Sequence, residues 1–569
     1  MAAMKIKNKW LTRFESSNKC ESPDYNETIK FFQKFVESSS YVKMFSMGIS
    51  PQGREIKYLV VTKGKEFTST KANKSKKAII LIQNGIHPGE IAGKDASMIL
   101  LREILITKEK EQLLDNLILL IIPIFNVDGH ERLNSFNRVN QVGPLQMGWR
   151  ANSLNLNLNR DYMKADTPEM KAWLKFFNEW RPDFMIDNHA TNGADYQYHV
   201  TYQFGKHKNV SPYLSSWVKE KFYPELISNV EKEGFKTAIY IEFKNDESII
   251  DGFSDQPSLP RFSEGYSLVR NRLCLLVETH SLKQFANRVA STLSTMAHSL
   301  SYINENYKEL KALNEKAEEE TLNEYVKDKK PFPINFAVDE KPDKFLFKGF
   351  RSIEEPSEIT GNKILRYTEK PVEFYIPIYN KSIVTDFVDV PKAYLIPKQF
   401  SEIVEIIKLH GIEVETLKAD KNFHVEKYKF KKIKFWSRPY EGRLPVNFEF
   451  DKLKEKVMVE KGTFIISTNQ KVLRVILFLL EPASQDSFVR WGFFNAFFER
   501  KEYAEPFVME PIAKRMLQEN KSLWREFYNR VGVDENFRND AAARLDFFYQ
   551  QSSYFDKEEK VYPIMRVIK

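Results

Sequence analysis

Cysteine is nearly absent: Cys20 and Cys274 are the only two in 569 residues. Neither a disulfide framework nor a zinc site built on thiolates is available, so any metal must be held by histidines and carboxylates. Long hydrophobic runs are missing too. No stretch approaches the ~18 apolar residues needed to span a bilayer, and the opening MAAMKIKNK lacks the apolar segment of a signal peptide. The chain reads as soluble, with no membrane span. Its address stays open, because Met1-Ala2-Ala3-Met4 is compatible with a secreted or periplasmic protein whose signal segment was removed. Nor is there a dense patch of one charge: 86 basic against 77 acidic residues give +9 over the whole length. That mild excess favours solubility and does not point to nucleic acid.

What is present is material for burial. A hydrophobic content of 42% and an aromatic content of 14% exclude general disorder, and the length implies several domains. From about residue 25 to 310 apolar β-type runs alternate with helical patterns, the mark of a sheet with crossover helices. Strands are expected at Ile56 to Val61, Ala78 to Gln83, Leu117 to Phe125, Asp183 to Asp187 and Arg272 to Val277, and their near-continuous apolar runs suit strands buried on both faces. A helix is expected from Ile91 to Leu105. Another starts with Thr167 as N-cap and Pro168 at its first position, burying Met170, Trp173, Leu174 and Phe177. A long helix carries Phe285, Val289, Leu293, Met296, Leu300, Ile303 and Tyr307 at spacings of three and four and ends near the charged stretch Glu315 to Glu320. A domain boundary is expected there, giving a catalytic unit at 10–315 and a mixed α/β region at 331–569. In that second region Lys427 to Trp436 alternates lysine with Tyr, Phe and Ile and slips once at Lys431-Lys432, which reads as a half-buried strand with a bulge.

Chemistry-bearing residues gather where strands end. Ala78 to Gln83 runs into Asn84-Gly85-Ile86-His87-Pro88-Gly89-Glu90, placing a His and a Glu three apart in a strand-to-helix turn. Imidazole nitrogen and carboxylate oxygen at about 2.0–2.2 Å suit zinc, and two histidines with one glutamate leave a fourth position for water. Taken alone, the pair reads better as the cap of a helix start. A third ligand is offered by His189, which closes the apolar run Phe184 to Asn188 at the carboxyl edge, where open α/β sheets bind ligands. Asp187 is placed to support the site from behind. The strand Leu273 to Val277 ends in Glu278, either a strand-end ion-pair partner or a base that takes a proton from a metal-activated water. Between them, Trp149 to Asp161 is rich in Asn and carries Arg150 and Arg160. One such cation can stabilise an oxyanion and another can grip a carboxylate; an ordinary surface loop would also look this way.

Together, the His87-Pro88-Gly89-Glu90 turn, Asn126-Val127-Asp128-Gly129, the Arg150 to Arg160 segment, Asp187-Asn188-His189 and Leu276-Val277-Glu278-Thr279 occur in the order of the zinc metallocarboxypeptidases. The chain resembles the carboxypeptidase A type over roughly residues 10–315. The resemblance implies that His87, Glu90 and His189 bind one Zn2+ per chain, that Glu278 is the general base and that Arg150 polarises the scissile carbonyl. It implies that Asn159 and Arg160 bind the substrate's terminal carboxylate, that Tyr266 is a candidate for a tyrosine closing over the substrate, and that the fold is a mixed, mostly parallel sheet of about eight strands with helices on both faces. Val127 stands where the family usually has Pro, and Tyr266 lies closer to Glu278 than the pattern expects. The partner is then a peptide or peptide-like substrate with a free carboxylate. Two other readings remain: an amide hydrolase on this scaffold acting on wall peptides, side-chain-linked amino acids or N-acyl amino acids, and a silent peptide-binding protein. Retention of Glu278 beside the ligands argues against silence.

Overall fold

The computed structural model describes residues 9–191, 193–245 and 248–568; the N-terminal stretch read above for a signal segment lies outside these except for Lys9. Among these described residues, ten strands form by residue 280: β1 (Val42–Ile49), β2 (Glu55–Val61), β3 (Ala78–Asn84), β4 (Leu117–Ile122), β5 (Phe184–Thr191), β6 (Val200–Phe204), β7 (Thr237–Ile239), β8 (Glu242–Phe243), β9 (Phe253–Ser254) and β10 (Leu273–His280). All but β8 and β9 join one eight-stranded sheet in the order β1-β2-β4-β3-β5-β10-β6-β7. Its centre, β4-β3-β5-β10, is parallel, and antiparallel pairs flank it. The mixed, mostly parallel α/β sheet read from the sequence is the observed one.

Because side chains alternate along a strand, each central strand feeds two cores. Ile80, Ile82, Leu119, Ile121, Ile186, Leu275 and Val277 pack under the Tyr25–Ser38, Ala92–Leu105 and Phe285–Leu322 helices. Ile79, Leu81, Leu120, Met185 and Cys274 face the Pro168–Trp180 helix on the other side. That helix begins as expected: the Thr167 hydroxyl accepts from the Met170 amide at 3.2 Å, with Pro168 in the first turn. The long helix runs through the charged stretch to Leu322, two residues past Glu320.

The chain beyond it belongs to the same body. Trp173, Phe177 and Tyr266 share a core with Phe332, Val404, Ile407 and Phe478. β11 (Phe332–Val338) pairs with β14 (Ser382–Val388), and the hairpin of β12 (Asp343–Pro356) and β13 (Lys363–Tyr379) extends β9 and β8, with Ile378 beside Phe253. A further six-stranded sheet is built on the long hairpin Lys421–Phe435 and Val446–Val459. The expected bulge is there: register shifts between Lys431 and Lys434, with Lys432 at φ 49°. Its lysines are paired across the hairpin, Lys431 with Asp451 at 2.5 Å and Lys432 with Glu449 at 2.8 Å. Residues 506–551 form helices with a small core of their own around Phe527, Phe537 and Phe548. Among the described residues no helix is long and apolar enough to cross a membrane.

Tight packing reaches directly under the strand ends. A Cβ on Gly93 would lie 2.2 Å from Asn84 Oδ1 and 2.5 Å from Asn188 Cβ, and Asn188 Nδ2 donates to Asn84 Oδ1 at 2.8 Å, tying β3 to β5. In an open helix Ala would be worth about 1 kcal/mol over Gly. Here the clash reverses the sign, and Gly93→Ala is expected to cost about 1–3 kcal/mol, read as a lowered urea midpoint. A midpoint at or above that of the parent protein would contradict the packing argument.

Candidate active site

Three strand ends build the site, and register brings them together. Asn84 pairs with Asn188 and Glu278 with His189 in the parallel ladders, so β3, β5 and β10 finish level with one another. The turn after β3 closes with a hydrogen bond from the Glu90 amide to the His87 carbonyl at 2.8 Å, and Glu90 then folds back over β5, where the Ala190 amide donates to its Oε2 at 3.1 Å. Asn126 reinforces the arrangement from the turn after β4, its Nδ2 lying 3.4 Å from the Arg150 carbonyl and 3.5 Å from that of Ile86.

The ligand atoms of His87, Glu90 and His189 all lie within 4.8 Å of one another, and all three side chains are buried. Each imidazole has its Nε2 occupied by an acceptor: Asn157 Oδ1 at 3.0 Å for His87, Asp187 Oδ2 at 2.9 Å for His189. Both Nδ1 atoms therefore point at Glu90 Oε2, at 3.2 and 3.1 Å. Two imidazole nitrogens and a carboxylate oxygen placed this way share protons when no ion is bound and can hold a cation between them. Burial drives His87 down to about 4. Burial opposes charge on His189 too, but Asp187 and Glu90 outweigh it and hold that imidazole well above its usual range. Burial raises the Glu90 carboxyl, yet His87, Arg138 and two imidazole hydrogen bonds hold it well below the carboxylate range. The donor set fits a divalent cation that accepts two imidazole nitrogens and one carboxylate oxygen, with zinc the metal to which such sets are matched.

Glu278 sits beside this trio with its Oε2 buried and unpartnered. Burial, helped by Glu90 and opposed by His189, pushes its carboxyl up to about 8. Arg150 and Arg138 both pair with Glu90 Oε1, at 3.1 and 2.9 Å. A cleft of about 870 Å³ is lined by the trio, Glu278, Arg138, Arg150, Asn159 and Arg160.

One expectation is corrected. Tyr266 lies outside the cleft, fully buried against Tyr162, Trp173 and Phe177, with its hydroxyl 2.9 Å from His410 Nδ1. The Ser263–Val269 helix turns it into the core. Tyr240 lines the cleft instead; burial and the nearby Glu278 charge raise its hydroxyl above the usual range. Arg138, Tyr240 and Glu264 were missed from the sequence. None stands in a motif, and the last two lie in or next to the Ile239 to Pro260 stretch, which offered no pattern to read.

A buried two-histidine, one-glutamate cluster with an unpaired carboxyl at the carboxyl edge of an α/β sheet defines a metallohydrolase. The profile of the zinc carboxypeptidase family matches residues 28–360, and the chain belongs to that family; it is a metallopeptidase. Carboxypeptidase 2 of Trichophyton rubrum is 22% identical over 495 residues, covering 84% of this chain and 85% of its own. An inactive metallocarboxypeptidase of Saccharomyces cerevisiae is 28% identical over 184 residues, covering 28% of this chain and 42% of its own. Among solved structures, a Pseudomonas aeruginosa metallo-carboxypeptidase in complex with (2-guanidinoethylmercapto)succinic acid aligns with TM-score 0.38 and 17% identity over 51% of this chain and 70% of that one. Bovine thrombin-activatable fibrinolysis inhibitor aligns with TM-score 0.37 and 14% identity, over 50% and 98%.

Glu264 provides a test of the cleft's electrostatics. Burial pushes its carboxyl from 4.5 up to about 8, and its Oε2 has no partner. In the unfolded chain the group ionises near 4.5, whereas in the folded chain it stays protonated towards 8, so the stability it contributes is full below the first value and lost as pH approaches the second. Unfolding by urea across pH 4.5–8 should show the parent protein losing on the order of 2–4 kcal/mol relative to Glu264→Gln. Parallel pH profiles would mean that this carboxyl ionises freely.

Proposed function

We propose that the protein hydrolyses the C-terminal peptide bond of peptides, with Glu278 as general base. The observation that carries this reading is the convergence in one cleft of the metal-binding trio, the unpartnered Glu278 carboxyl and the cationic Arg150 and Arg160. His87, Glu90 and His189 would hold one Zn2+ per chain, and the bound ion would supply Lewis acidity towards the scissile carbonyl and the attacking water.

The chain's own groups do the rest. Glu278 takes a proton from the attacking water and passes it to the leaving amine nitrogen. Its carboxyl, raised by burial, is lowered by any positive charge brought into the trio, and so becomes a competent base near neutral pH. Arg150 donates to the carbonyl oxygen as negative charge develops there. Asn159 and Arg160 receive the substrate's terminal carboxylate, and that contact confines cleavage to the last residue.

Two outcomes are expected. Purified protein should contain about one zinc per chain, and Glu278→Gln should keep the metal while kcat falls about 10²–10⁴-fold; undiminished activity would remove Glu278 from the role. Capping a good substrate's C-terminus as an amide should lower kcat/KM at least about 100-fold through loss of a charge-assisted pair. Equal turnover of acid and amide would sink the exopeptidase reading.

A further inference from the structure

The tip of the long C-terminal hairpin packs against the segment that supplies Asn159 and Arg160 to the cleft. Between its two strands, Tyr440 and Arg443 form an isolated antiparallel bridge closed by two backbone hydrogen bonds of 2.8 and 3.1 Å. The two residues between them, Glu441 and Gly442, take φ of 49° and 77°, as a two-residue hairpin turn requires. Glycine adopts this backbone freely; glutamate does so only under strain. Such strain persists only where the surroundings over-determine it, and here they do. Glu441 Oε2 accepts from the Asn157 amide at 2.8 Å, and Arg443 clasps Asp166 with Nε at 2.8 Å and Nη2 at 2.5 Å. Asp166 is tied in turn to Lys164 at 2.9 Å. The turn thus grips both sides of the segment that carries Asn159 and Arg160.

At its centre the Tyr440 hydroxyl accepts from Arg160 Nε at 2.9 Å. The Tyr440 ring is itself held by stacking on Trp491, with centroids 5.8 Å apart and planes at 10°. Trp491 is anchored by its indole N–H to Asp486 at 3.2 Å. Arg160 is otherwise fixed by Nη1 donating to the Asn159 carbonyl at 2.6 Å and by the Phe262 ring 4.5 Å beneath its guanidinium. Two of its three nitrogens are therefore committed to the protein, and Nη2 has no acceptor among the described residues.

We infer that Tyr440 is a positioning residue for substrate binding: through its hydrogen bond to Arg160 Nε, the C-terminal region aims the guanidinium so that Nη2 meets the terminal carboxylate of a peptide substrate. This rests on the carboxylate-binding role proposed for Arg160. A free arginine side chain has several rotatable bonds, and ordering it beforehand removes that entropic cost from binding. The consequence is that residues far beyond the zinc-carboxypeptidase match at 28–360 form part of the substrate site.

Tyr440→Phe keeps the ring and its stacking and removes only the acceptor. With full-length zinc-loaded protein and a peptide presented as free acid and as C-terminal amide, this variant should raise KM for the acid about 5- to 20-fold, change kcat less than about twofold, and leave KM for the amide unchanged. Arg160→Ala is measured alongside and should erase the preference for acid over amide. If Arg160→Ala erases it while Tyr440→Phe leaves KM for the acid as it was, the positioning role is overturned and the carboxypeptidase reading stands. If Tyr440→Phe weakens acid and amide alike, the hydroxyl supports the fold and not the arginine, and the inference again fails. If Arg160→Ala keeps the preference intact, the carboxylate reading falls and takes this inference with it.

Discussion

Everything at the site depends on the parallel register of β3, β5 and β10. Parallel strands have evenly spaced hydrogen bonds, so once Asn84 is paired with Asn188 and Val277 with Asn188, the residues that follow emerge side by side at one edge. A slip of one residue in β10 would turn Glu278 towards the opposite face. The register is held by hydrophobic layers on both faces and, at the last step before the site, by the side-chain bond between Asn188 and Asn84. The absence of a Cβ at Gly93 lets the following helix lie against that bond.

Charge balance is the second constraint. The site collects carboxyl groups in a place with little water: Glu90, Glu278 and Asp187 are all buried. Such a group of acids is stable only with compensating charge. His189 stands between two of them, and Arg138 and Arg150 share one oxygen of Glu90. Glu90 thus turns one oxygen to the histidines and the other to the arginines. Burial is what gives these charges their reach, because the same groups in water would be largely screened.

The region after residue 331 shares a hydrophobic core with the elements that carry the site. Its strands extend β8 and β9, its helix Ser401–Leu409 packs with the Pro168–Trp180 helix, and its hairpin tip holds the Asn157 to Asp166 segment. Tyr266 shows the effect on a single residue. It is followed by a catalytic-looking strand, but its environment is set by His410 and Trp173, partners distant in sequence. No local pattern could have distinguished a tyrosine buried there from one lining a cleft.

By itself the sequence determined the sheet, its crossover helices and the trio with Glu278, because those features are local: apolar runs long enough to be buried on both faces, a Thr-Pro helix start, and reactive residues placed at strand ends. The bulge at Lys431-Lys432 was legible for the same reason, as a break in a period of two. Only the tertiary structure decided which tyrosine borders the cleft, that Arg138 shares Glu90 with Arg150, that Glu264 is a buried acid in the wall, and that Tyr440 touches Arg160. Each of these is a contact between segments tens to hundreds of residues apart. Such contacts are set by how whole layers pack, and packing leaves no periodic trace in the chain that forms it.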